Sequence, residues 1–135
     1  MSSKKLFWGL LTLLWCFIIF SFYSQSSVSS QKLSDSLVPI ILLNKFPFLG
    51  ILIRKTAHFM EYAILFFLAA NYFKEFNNPK YLFIALLFSI LCAFFDEFHQ
   101  LFVDGRSGQI KDVLIDSMGA FVTLLILRNI RVISK

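Results

Sequence analysis

Positions 6–23 carry no charged residue, and three further apolar stretches follow at about 50–73, 81–103 and 109–129. At about 1.5 Å of rise per residue, a helix of some 18 residues or more nearly crosses or fully crosses a hydrocarbon core about 30 Å thick. Backbone within lipid must satisfy its own hydrogen bonds, so stretches of this kind become helices. The expected fold is all-α, a polytopic membrane protein of about four transmembrane helices in one compact bundle. Residues 1–135 read as a single domain.

Composition agrees with that constraint. Apolar residues make up 58% of the 135 positions, against roughly half in a soluble domain. Phenylalanine alone supplies 18 residues. Mean hydropathy is +0.74. The net charge of +5 does not point to nucleic acid, because no basic run is interleaved with exposed aromatics. The Lys and Arg residues gather at the ends of the apolar stretches, where they orient a chain and meet anionic headgroups. Cys16 and Cys92 lie inside apolar stretches and read as reduced packing residues, with no CxxC pair.

The breaks set the organisation. Residues 24–36 are rich in Ser and Gln, and 37–43 are apolar but short and hold Pro39. The region 24–49 is expected to be an extracytoplasmic loop with an interfacial or re-entrant piece. Small residues after position 23 also suit a cleaved signal peptide, but Trp8, Trp15 and the length of the run favour a retained helix. Asn77-Asn78-Pro79-Lys80 reads as a turn. With the N-terminus in the cytoplasm, Lys4, Lys5, Lys74, Lys80, Arg128, Arg131 and Lys135 fall on the inner face. Lys32, Lys45, Arg54, Lys55, Arg106 and Lys111 fall outside. Arg54, Arg106 and some lysines belong to the polar group described next, so both termini are placed in the cytoplasm.

Ionisable residues interrupt the last three stretches in a pattern. Arg54, His58 and Glu61 stand at i, i+4 and i+7 and share one helical face, with Tyr62 beside it. Asp96 and Gln100 are four apart, flanked by Glu97 and His99. Asp112 and Asp116 repeat that spacing, and Gly119 and Thr123 extend the stripe with small residues that let a neighbouring helix approach. Alternating topology brings all three stripes to the same membrane face. A charge near the bilayer centre costs about 2.5–3.5 kcal/mol on insertion scales, so these groups must face one another or water. Crowded carboxylates in a low dielectric resist ionising together, which is a condition for acid/base chemistry.

Residues 54–62, Arg54-Lys55-Thr56-Ala57-His58-Phe59-Met60-Glu61-Tyr62, form the first of three ordered motifs. The second is Asp96-Glu97-Phe98-His99-Gln100-Leu101-Phe102-Val103-Asp104-Gly105-Arg106-Ser107-Gly108, and Asp112 and Gly119 complete the set. Together they resemble the VanZ-like family over residues 54–123. The resemblance implies a bacterial four-helix protein of the cytoplasmic membrane, in a family named for accessory glycopeptide resistance and low-level teicoplanin resistance. The family pattern commonly has Pro where this chain has Asp104, which adds a charge beside Arg106.

Several functions suit these residues. In the preferred reading, a lipid-like or lipid-linked envelope molecule enters an outward-opening polar cavity, and glycopeptide susceptibility changes as a result. Arg54 and Arg106 would grip a phosphate or carboxylate, while Glu97, Gln100, Asp112 and Asp116 receive hydroxyl, amide or amine groups. The alternative is an intramembrane hydrolase or transferase on a lipid-linked substrate, with Glu61, Asp96 and His58 as the acid/base groups. A metal reading would draw on His58, Glu61, Asp96, His99 and Asp112, but the nearby arginines disfavour a cation, so no metal and no cofactor is expected. A purely structural role is an extravagant use of nine polar groups, since membrane hydrogen bonds average about 0.6 kcal/mol each. A proton-coupled transporter ranks last, because no polar stripe reaches the cytoplasmic half. The expected partners are membrane lipids and a lipid-linked cell-wall precursor or lipoglycopeptide; nucleic acid is not one, and the oligomeric state is left open.

Overall fold

The computed structural model describes residues 2–23, 36, 46, 48–103 and 108–133. Four α-helices are complete among them, and the described residues include no strand. They are α1 (Ser3–Tyr23), α2 (Leu49–Lys74), α3 (Tyr81–Gln100) and α4 (Ile110–Ile133). Two of them, over Ser3–Phe22 and Tyr81–Gln100, are long and apolar enough to cross a membrane. The expected loop over 24–49, with its re-entrant piece at 37–43, falls almost wholly outside the described residues.

Helix α2 is the centre of the bundle. It packs against α1, α3 and α4, while α1 touches α3 only lightly. Its buried residues His58, Tyr62, Leu65, Phe66, Ala69 and Ala70 follow helical spacing down one side. On α3 the buried positions Tyr81, Ala85, Ser89, Ala93, Asp96, Glu97 and Gln100 run mostly four apart. Small residues dominate where helices meet, and Gly119 of α4 lies directly against the α2 backbone at Phe59 and Ala63. Close backbone approach of this kind lets two helices pack by van der Waals contact along their length. The buried hydroxyl of Ser89 donates to Ala85 O, and the half-buried Thr123 hydroxyl to Gly119 O, which keeps both groups satisfied.

Polarity is distributed inside out. His58, Ser89, Asp96, Glu97, Gln100 and Asp116 are buried, whereas Phe17, Phe83, Phe95, Leu114 and many similar side chains point outward. Water would penalise such a surface, but acyl chains solvate it.

The turns have local causes. Asn77 adopts a φ of 55°, a left-handed conformation that asparagine tolerates better than most residues. Asn78 Oδ1 then accepts from the Lys80 N–H at 2.9 Å, closing an Asx turn before α3. Helix α3 ends at Gln100, three residues short of the expected boundary. Leu101, Phe102 and Val103 bond instead to carbonyls three residues back, so the last turn is wound more tightly. At the same end as the α2–α3 turn, Lys5 Nζ sits 3.3 Å from the centroid of the Phe76 ring, which brings the N-terminal basic pair beside Lys74 and Lys80.

Candidate functional site

The ionisable residues of α2, α3 and α4 meet at the end of the bundle away from Lys5. They divide into two groups. Asp96 and Glu97 are adjacent on α3, and successive helical residues diverge by about 100°. Asp96 therefore turns toward α1 and α2, and Glu97 toward α4.

On the first side, α1, α2 and α3 enclose a cavity of about 410 Å³. Cys16, Ile19, Phe20, Tyr62, Leu65, Cys92, Phe95, Asp96, Phe98 and His99 line it. Most of this wall is apolar. Tyr62, fully buried, directs its hydroxyl at Asp96 Oδ2 across 3.5 Å. His99 packs on Phe20 with ring centroids 4.5 Å apart. The Cys16 and Cys92 thiols are free and meet across the α1–α3 contact. Helix α1 is tied to α2 here by the Trp15 indole N–H, which donates to the Glu61 backbone carbonyl at 3.0 Å. An indole N–H inside an apolar stretch needs an acceptor, and that need is the signal in the sequence that marks Trp15 as a tie between helices.

On the second side, His58, Glu97 and Asp116 come together from three helices. Candidate ligand atoms of all three lie within 4.8 Å of one another. His58 Nδ1 is 3.3 Å from Asp116 Oδ1. Glu97 is held from two directions: Gln100 Nε2 donates to Oε1 at 3.0 Å, and the Gln109 N–H donates to Oε2 at 2.8 Å. Gly108 lies against the Glu97 carbonyl, where a Cβ would collide. The chain entering α4 thus needs glycine to bring the Gln109 N–H this close. About one turn nearer the surface, Lys55 Nζ pairs with Asp112 Oδ1 at 2.5 Å. A second, mostly apolar cavity of about 310 Å³ touches Glu97 and Gln109 between α3 and α4.

The expected site residues are therefore placed as follows. His58, Glu97, Gln100 and Asp116 are packed between helices, and Asp112 joins Lys55 above them. Asp96 lines the larger cavity. Glu61 is half-buried, one position before Tyr62. Arg54 is half-buried and makes no ion pair among the described residues. Arg106 and Asp104 lie outside those residues. Among the described residues, the expected site side chains do not share one polar cavity: they divide between the two sides of α3, and the open volumes there are mostly apolar. The metal set considered from sequence also changes, with Glu97 and Asp116 beside His58 in place of Glu61, Asp96, His99 and Asp112.

Comparison with family models matches VanZ/LLP1 over residues 7–132. Comparison with curated proteins and with solved structures returns no match.

Proposed function

Because the chain belongs to the VanZ/LLP1 family, we propose that it is a bacterial cell-envelope protein that binds a lipid-like or lipid-linked molecule and thereby alters susceptibility to teicoplanin. All four helices span the cytoplasmic membrane. The end bearing Lys4, Lys5, Lys74 and Lys80 faces the cytoplasm, in keeping with the positive-inside bias, and the ionisable end faces outward.

One observation carries this reading. The 410 Å³ cavity joins an apolar wall to Asp96, Tyr62 and His99 in one volume. An acyl or polyprenyl chain suits the apolar wall, and a hydroxyl, amide or amine of its head group suits Asp96. Arg54, half-buried on the same face of α2 as His58, has the guanidinium that suits an anionic head group. Sites for amphiphiles have this composition, mostly apolar with a few fixed polar groups.

The test uses the full chain in nanodiscs, incubated with a lipid-linked cell-wall precursor and analysed by native mass spectrometry. Retention of the precursor, lost when Cys16→Trp fills the cavity and weakened in Asp96→Asn, supports the proposal. Equal retention by wild type and both variants overturns it. Conversion to a new product that disappears in Glu61→Gln would move the assignment from binding to catalysis.

A further inference from the structure

We propose that His58, Glu97 and Asp116 form a binding site for one divalent transition-metal cation, held by an imidazole nitrogen and two carboxylate oxygens. The three residues come from α2, α3 and α4, and each is buried, with exposures of 7%, 5% and 0%.

Asp116 supplies an independent reason. Its carboxylate is fully buried, and neither oxygen has a hydrogen-bond partner among the described residues. His58 Nδ1 approaches Oδ1 at 3.3 Å, near enough for an ion pair when the imidazole is protonated but without the geometry of a hydrogen bond. A buried polar atom without a partner costs about 1–3 kcal/mol, and a charged one more. Yet nearby donors are committed elsewhere: Gln100 Nε2 and the Gln109 N–H serve Glu97, and Lys55 serves Asp112. A cation shared with His58 and Glu97 gives both Asp116 oxygens the counter-charge that no hydrogen bond supplies.

Charge and geometry agree. Two carboxylates and a neutral imidazole carry two negative charges, which a divalent ion neutralises in a setting where uncompensated charge is costly. Bonds of about 2.0–2.2 Å to one ion place its ligand atoms at most about 4.4 Å apart. Side-chain movements below about an ångström bring the present set, within 4.8 Å, into that range. The donors to Glu97 act as an outer shell that fixes a ligand's orientation. One nitrogen and two oxygens favour Zn²⁺, Mn²⁺ or Fe²⁺ over Ca²⁺, which takes oxygens alone, and over Cu⁺, which takes sulfur. Cys16 and Cys92 line the cavity on the other side of α3.

This inference rests on the cluster and not on lipid binding, so each can fail separately. The experiment titrates Co²⁺, a spectroscopic substitute for Zn²⁺, into the metal-stripped full chain in detergent and follows its ligand-field absorption. One equivalent per chain is expected, with Mn²⁺ and Zn²⁺ competing for it. Asp116→Asn, Glu97→Gln and His58→Ala should each weaken Co²⁺ binding at least about tenfold, with Asp96→Asn near wild type. Absence of a saturable band in the wild type overturns the proposal without reference to any variant. So does a band that survives all three substitutions.

Discussion

Asp96 and Glu97 are neighbours in sequence and have different neighbours in space. The sequence placed both in one site because each flanks the same stripe, and a stripe read at i, i+4 spacing has no sharp edge. Only the packing of α1 on one side and α4 on the other divides them. Asp112 and Asp116 share one face of α4, but the groups beside them, Lys55 and His58, come from another helix, and no helical periodicity reports a contact between helices. Asp96→Asn keeps an oxygen that can accept from the Tyr62 hydroxyl. It should therefore leave thermal unfolding in detergent unchanged while abolishing any effect on teicoplanin susceptibility. A large loss of stability instead would make Asp96 a structural residue.

Helices α2 and α4 approach most closely at Gly119, where any Cβ would meet the Phe59 carbonyl. Gly119→Val should destabilise the bundle by about 1–3 kcal/mol, the usual range for overpacking, and show as a lowered melting temperature in detergent. Helix α1 is held by less: the Trp15 indole, a few apolar contacts and the adjoining thiols. Trp15→Phe should cost about 1 kcal/mol, in line with one hydrogen bond. Mild oxidation should join Cys16 to Cys92, detected by non-reducing peptide mapping, if α1 docks on α3 as described. The existence of the four helices was legible from apolar length and from the Asn-Pro turn. The early end of α3 was not, since Leu101-Phe102-Val103 is as apolar as the helix before it and a tightened final turn leaves no compositional mark.

Across the whole molecule, the polar interior and apolar exterior follow from one solvent argument. In the proposed membrane setting, lipid accepts Phe17 and Phe95 on the surface and refuses Asp116 there, in keeping with the burial of Asp96, Glu97 and Asp116 between helices. The VanZ/LLP1 match over residues 7–132 reaches beyond the motifs read at 54–123 to nearly the full chain, and it takes in α1, a wall of the larger cavity. The most direct test replaces Cys16 and Cys92 by alanine and introduces cysteine pairs at positions 58 and 116, 58 and 97, and 97 and 116. Treated in membranes with a short bismaleimide, each pair should be bridged by one linker within a single chain, as read by intact mass. Two separately attached linkers on every pair, in protein that remains folded, would mean that the three helices do not bring these residues together.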